Sequence, residues 1–281
     1  MHKITLLFIC IAALVRAQEI EPTEADAILD DLFTADSLDI LDFFDDLKKQ
    51  DYLYVTVLYN NKTLFSGRDF GVEQYSAFPS ISYIGSNHFF ANLSSGYYSS
   101  INPNWDFVTL SGGYSNYIDK KKTLLATGVY SYSSYTQDVA DLNNHRVSVG
   151  LSFRKKWFRN SLTAGYLFGG ASSSFVSNNA YVSIDILDTN SLDISIQPRF
   201  GLFWGNQTDE QIIFRPFQET YVYNDYFQLL NTELSIPVEF DFGNWDVEID
   251  YTFSSPNPLP SEEGLENTGF ISLSVGYLIS L

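Results

Sequence analysis

Side chains along most of this chain switch between apolar and polar with a period of two, in segments of about ten residues. Such a period belongs to β-strands whose two faces meet different surroundings. Between His145 and Arg154, Val147, Val149, Leu151 and Phe153 point one way, and Arg146, Ser148, Gly150, Ser152 and Arg154 point the other. From Ser191 to Trp204, Leu192, Ile194, Ile196, Phe200 and Leu202 oppose Asp193, Ser195, Gln197 and Arg199. Leu230, Leu234, Ile236, Val238 and Phe240 oppose Asn231, Glu233, Ser235, Glu239 and Asp241. After Gly243-Asn244, Trp245, Val247, Ile249, Tyr251 and Phe253 oppose Asp246, Glu248, Asp250 and Thr252.

Alternation alone fits a soluble sandwich as well, since one strand face there meets a core and the other meets water. Three features favour a membrane barrel. The segments are long enough to cross a bilayer when tilted, which takes about 9–11 residues. One face of each is almost purely aliphatic and aromatic. The connections alternate between short and long. Strands are predicted near 51–60, 75–84, 88–99, 104–117, 123–134, 145–154, 161–171, 179–188, 191–204, 227–242, 244–254 and 268–281. Connections after even-numbered strands are tight: Gly85-Ser86-Asn87, Asp119 to Lys122, Lys155 to Asn160, Thr189-Asn190 and Gly243-Asn244. Those after odd-numbered strands are mostly longer, notably 61–74, 135–144, 205–226 and 255–267. Outer-membrane barrels combine short periplasmic turns, long outer loops and an even strand number. The expected fold is therefore all-β, a transmembrane up-and-down antiparallel β-barrel of about twelve strands over 51–281, with both termini periplasmic. Ten or fourteen strands are the alternatives, because 61–74 and 205–226 can pair above the membrane. Pro79, Pro198 and Pro237 remove ladder donors, so their strands are expected to bulge or bend.

Residues 1–17 read as a secretory signal peptide: Lys3 near the start, an apolar run from Ile4 to Val15, and Val15-Arg16-Ala17 as the cleavage site. That run is too short to span a bilayer, which needs about 20 residues. Cys10 is the only cysteine and lies inside it, so disulfides and thiolate sites are not expected beyond it. Residues 18–50 form an acidic leader carrying Glu19, Glu21, Glu24, Asp26, Asp30, Asp31, Asp36, Asp39, Asp42, Asp45 and Asp46. Apolar residues recur there at helical spacing, at Ile28, Leu29, Leu32 and Phe33 and again at Leu38, Ile40, Leu41, Phe43, Phe44 and Leu47. One or two short amphipathic helices are predicted, with Ser37 as a cap and Lys48 and Lys49 at the favourable end of the dipole.

The formal charge of −18 argues against nucleic-acid binding, which needs a basic footprint. An aromatic fraction of 16% suits the girdles of a membrane barrel.

The final residues carry a further sign. Ser274, Gly276, Ile279 and Leu281 resemble the terminal signal read by bacterial barrel-assembly machinery: a polar residue, a glycine two later, then hydrophobic residues alternating to the last position. Leu281 departs from the Phe that many such proteins carry there. More broadly the chain resembles the small outer-membrane barrels of Bacteroidota. The resemblance rests on the leader segment Ile28-Leu29-Asp30-Asp31-Leu32-Phe33 and on Tyr59-Asn60-Asn61-Lys62-Thr63-Leu64-Phe65-Ser66-Gly67-Arg68-Asp69. It implies fold and a Gram-negative outer-membrane location, with lipid and the assembly machinery as partners, and no activity.

The residues do not suggest an enzyme. Apart from His2, the histidines are His88 and His145. His145 and Ser148 are three apart, hence on opposite strand faces, whereas the outer-membrane lipid hydrolases carry His and Ser on one face. No cofactor or metal is expected; the stacked carboxylates read as a hydrated channel wall. The lumen-lining candidates are Arg146, Arg154 and Arg199 against Glu233, Glu239, Asp241, Asp246, Glu248 and Asp250. Opposite charges facing one lumen either line a water path or pair to close it. Lys120, Lys121 and Lys122 are placed in one short turn and Lys155, Lys156 and Arg159 in another, on the side of the acidic leader. These basic residues are candidates for docking the leader. Two functions follow: a passive pore for small polar solutes, or a non-conducting accessory subunit that recruits a periplasmic or membrane partner through residues 19–50.

Overall fold

A computed structural model describes residues 51–69, 74–136, 142–189, 191–215, 218–260, 262 and 264–281. The expected signal peptide and leader helices lie outside the described residues. Among those described, twelve strands run antiparallel around one closed hoop. They are β1 (Tyr52–Asn60), β2 (Ser76–Ile84), β3 (Phe89–Tyr98), β4 (Trp105–Tyr117), β5 (Leu124–Tyr135) and β6 (His145–Lys155). Then come β7 (Phe158–Phe168), β8 (Ser173–Val182 continuing as Ile184–Asp188), β9 (Asp193–Ile196 continuing as Arg199–Arg215) and β10 (Gln218–Ser235 continuing as Val238–Phe242). β11 (Trp245–Pro256) and β12 (Thr268–Ser280) complete the set. β12 pairs with β1 from Tyr52↔Ser280 to Asn60↔Ser272, which closes the hoop and covers the edges of its first and last strands.

The packing is inverted relative to a water-soluble domain. Ser80, Ser82, Ser94, Thr109, Ser111, Ser131 and Ser152 are buried, while Ile81, Leu93, Leu110, Val149, Leu162, Leu234 and Ile249 are exposed. Hydroxyls pair across register partners on the inner face: Thr56 with Ser80 at 3.0 Å, Thr109 with Ser133 at 2.8 Å, Ser111 with Ser131 at 2.9 Å and Ser115 with Thr127 at 2.8 Å. Each such pair contributes about 0.2–1 kcal/mol. Outside, an aliphatic band separates two aromatic rims. Tyr59, Tyr75, Tyr97 and Trp105 form a chain of rings at the loop end, with successive centroids 5.9, 6.3 and 5.4 Å apart. Trp245 and Tyr277, 4.7 Å apart, lie at the turn end with the exposed Trp157. Rims of this kind mark the two headgroup levels.

Inner aromatic rings lie flat on neighbouring glycines. A Cβ on Gly113 would fall 2.3 Å from Phe90 Cζ and 2.7 Å from the Gly128 carbonyl, whereas nothing lies within 4 Å of one on Gly128. Gly113→Ala is therefore expected to cost about 1–3 kcal/mol by overpacking, and Gly128→Ala close to nothing. The temperature at which the folded band is lost in heat-modified gel electrophoresis reads both. Equal shifts would contradict the packing.

The turns have local causes. Asp119 accepts from Leu124 N and Thr123 N, both at 2.8 Å, and from Thr123 Oγ1, at 2.8 Å; these bonds hold its pKa below the ordinary carboxylate value. Asp51 accepts from Tyr83 Oη at 2.5 Å and Ser86 N at 2.8 Å, and its pKa falls for the same reason.

Several boundaries differ from expectation. The turn read as Lys155 to Asn160 is only Lys156-Trp157, so Lys155 ends β6 and Arg159 belongs to β7. β8 begins at Ser173 rather than near 179. The stretch 205–226 is not a loop: β9 and β10 stay paired from Arg199↔Ser235 to Arg215↔Gln218. That pairing lengthens two strands and leaves the count at twelve. The prolines act as expected at two positions. β9 and β10 break at Pro198 and Pro237, whose carbonyls accept from Val182 N at 3.2 Å and Gln197 N at 3.1 Å. One kink line therefore crosses β8, β9 and β10.

Candidate functional site

The lumen has two unlike walls. From β1 to β5 the inner face carries hydroxyls and aromatic side chains. From β6 to β11 it carries the charges. Arg146 and Arg154 of β6 are buried at 8% and 5% exposure, which places them inside. Arg146 packs its guanidinium over the Phe175 ring at 4.5 Å. Arg154 Nη1 donates to Tyr117 Oη at 3.4 Å. Arg154, Arg159, Tyr181, Arg199 and Ser235 are successive register partners from β6 to β10, so they form one row across the wall. Arg159 Nη1 donates to Tyr181 Oη at 2.8 Å and faces the lumen; its expected place in a turn is corrected by the early start of β7.

Six carboxylates face this row. Arg199 Nη2 donates to Glu248 Oε2 at 2.5 Å, so the long arginine side chain spans from β9 to β11. Glu233 accepts from Asn231 Nδ2 at 2.9 Å, and Asp250 from Thr252 Oγ1 at 2.7 Å. Glu239, Asp241 and Asp246 bring carboxylate oxygens within 4.8 Å of one another at the turn end. Tyr54 Oη donates to Asp246 at 2.7 Å, and Ser195 Oγ to Glu239 at 3.0 Å; Gln197 also donates to Glu239. Asp241 is exposed, and the group reads as a solvated acidic wall.

The residues expected to form an assembly signal have local roles in β12. Ser274 pairs with Leu58 and Glu248, and Gly276 leaves room for Tyr54, whose Oη would lie 2.2 Å from a Cβ there. Ile279 and Leu281 face outward. Of the docking candidates, Lys121, Lys122, Lys155, Lys156 and Arg159 line one concavity at the turn-end mouth together with Arg154, while Lys120 is exposed beside it. The two histidines sit at the rims. His145 Nδ1 lies 2.8 Å from Tyr130 Oη, and its ring stacks on Phe168 at 5.0 Å on the outer face, whereas Ser148 is buried on the inner face. His88 occupies the β2–β3 turn with a φ of 70°.

Sequence reasoning missed the residues that narrow the lumen. The loop between β1 and β2 folds inward through a two-residue ladder, Leu64–Phe65 with Arg68–Asp69. Gly67, at φ 79°, sits so close to β10 and β11 that a Cβ would lie 2.3 Å from Asn231 Oδ1 and 2.7 Å from Ser254 Oγ. Arg68 anchors the loop. Its Nε and Nη2 donate to the two oxygens of Glu262 at 2.8 and 2.9 Å, and Nη2 donates to the Asn257 carbonyl at 2.8 Å. These partners lie nearly two hundred positions away, and nothing local in 61–75 announces them. The positive-φ Ser66-Gly67 turn is the one signal that was available.

A closed antiparallel hoop, polar within and apolar with aromatic rims without, is the architecture of a bacterial outer-membrane β-barrel. No protein-family model and no curated protein matches the chain. Among solved structures it is similar to the KdgM porin, at 9% identity over 80% of this chain and 98% of the porin, with a TM-score of 0.48. It is also similar to the translocator domain of autotransporter NalP from Neisseria meningitidis, at 13% identity over 90% of this chain and 96% of that domain, with a TM-score of 0.49. An outer membrane channel from Pseudomonas putida F1 resembles it at 11% identity over 93% of this chain and all of that one, with a TM-score of 0.44. These likenesses concern fold alone.

Proposed function

We propose that this protein is a porin-like barrel of the bacterial outer membrane, without enzymatic activity, that passes small polar solutes through a lumen narrowed by the infolded loop. Both termini and the short turns face the periplasm, and the long loops face outward. The observation that carries this reading is the charged inner wall, where an arginine row faces six carboxylates on a surface otherwise coated with hydroxyls. A barrel sealed by side chains would gain from apolar packing across its middle, yet the apolar clusters sit toward the two ends. Tyr54, Ile84, Phe90 and Leu125 form one cluster, and Phe78, Tyr98 and Phe107 another. Between them lies a band of polar residues. The full chain inserted into planar bilayers is expected to give discrete conductance steps. Insertion into the bilayer without any step would end the pore reading.

The second reading, an accessory subunit, draws support from the β9–β10 hairpin. Its strands of 17 and 18 residues exceed the span of a bilayer and project beyond the loop-end rim, with Tyr223 and Phe227 exposed at 64% and 52%. A silent barrel that co-purifies with an envelope protein would favour this reading.

A further inference from the structure

Six cationic side chains surround a concavity of about 450 Å³ at the turn-end mouth of the lumen. They are Lys121 and Lys122 of the β4–β5 turn, Arg154 and Lys155 of β6, Lys156, and Arg159 of β7. Among the described residues, the side chains lining it include no carboxylate. Arg154 and Arg159 are direct register partners, a placement in which like charges destabilise a sheet. Tyr117 and Tyr181 give these guanidiniums neutral acceptors, and Lys122 and Lys155 lie over the Tyr117 and Phe153 rings at 5.8 and 5.4 Å. Such a cluster suits a multivalent anion, because one carboxylate can bridge two neighbouring cations.

We infer that the occupant is this chain's own acidic leader, residues 18–50, bound by its carboxylates inside the mouth rather than across the outer surface of the turns. Three observations select it. The leader joins the barrel at Asp51, and Asp51 is fixed to this same rim by Tyr83, Ser86 and the Leu281 amide, which donates to its carbonyl at 3.0 Å. The leader carries eleven carboxylates against two lysines. Its reach is ample: twelve strands at a spacing of about 4.8 Å and a tilt near 40° give a mouth about 24 Å wide, and residues 18–50 would span about 50 Å even if wholly helical. Tethering raises the local carboxylate concentration into the millimolar range, which free solutes must then exceed. A lipid headgroup is the weaker match, because Arg154 and Arg159 point into the lumen and away from the lipid face. The docking stands whether or not the lumen conducts.

The test uses the full chain. Single cysteines at Asp36, Asp39, Asp42 or Asp45 are combined in turn with Lys121→Cys or Lys156→Cys. At least one pair is expected to form a disulfide in the folded barrel, visible as a mobility shift reversed by reductant. Changing the other leader aspartates to Asn in the same chain is expected to lower the yield severalfold, as is raising the salt, which screens exposed charges. Val57→Cys with Val275→Cys, register partners on β1 and β12, is the positive control. The inference is overturned if the control pair forms and no leader pair does. It is equally overturned if crosslinking ignores the leader's charge, or if inorganic phosphate or a co-purifying anionic phospholipid occupies the mouth while the leader stays uncrosslinked.

Discussion

Arg68→Ala is expected to raise single-channel conductance severalfold and to lower barrel stability at the same time. The guanidinium holds the infolded loop by two bonds to Glu262 and one to the Asn257 carbonyl, with side-chain exposures of 9% and 23% across the ion pair. Removing one partner of a pair this buried costs about 3–5 kcal/mol, because the other charge stays behind without its counterion. The loop then loses its anchor, and Gly67, whose missing side chain only permits the close approach to Asn231 and Ser254, does not hold it in the lumen. Acid acts on the same clamp. Burial alone would raise the Glu262 pKa, but the bonds from Arg68 and from Leu259 N, at 2.6 Å, outweigh it and hold the pKa below its ordinary value of 4.5. A depressed carboxylate pKa means that the clamp's contribution is complete above about 4.5 and is lost as the pH falls through the lower folded value. Conductance is therefore expected to be steady at neutral pH and to rise below about pH 4.5 in the natural protein. Arg68→Ala is expected to be already high and to lack that step. Identical acid responses from the two proteins would place the gate elsewhere.

Neutralising the carboxylate wall is the second large effect. Asp246→Asn, Glu248→Gln and Asp250→Asn together remove three acids that face the path and leave Arg146, Arg154, Arg159 and Arg199 in place. A unit charge about 5 Å from a passing ion is worth about 1–3 kcal/mol at effective dielectrics between 80 and 20, which is at least about fivefold in occupancy. The reversal potential in a salt gradient is expected to move strongly toward anion preference. The single change Glu248→Gln also takes from Arg199 Nη2 its charged acceptor at 2.5 Å and is expected to produce the largest part of the shift. An unmoved reversal potential would mean that ions bypass this wall.

The outward faces could be read without a structure because lipid accepts only apolar side chains there; Val147, Val149, Leu151 and Phe153 needed no tertiary information. The same physics misleads at the ends of strands. Arg159-Asn160 and Ser173-Ser174 look like loops by polarity, yet the inner face of such a barrel is itself polar, so polarity does not break a strand. Along 205–226 the pairing continues beyond the bilayer, where neither face meets lipid and the alternation loses its cause. The charges of β10 and β11 could be assigned to the lumen from parity alone. The Arg68 clamp could not, because it joins segments brought together only when the hoop closes.

That seam has a kinetic meaning. Asn61 and Ile271 exchange bonds across 210 positions of chain, so the final ring closure must find a partner through a very long entropic loop. Until it does, β1 and β12 both offer ragged rows of donors and acceptors to any neighbour. A nascent copy is thus most vulnerable to misassembly in the interval before its first strand meets its last.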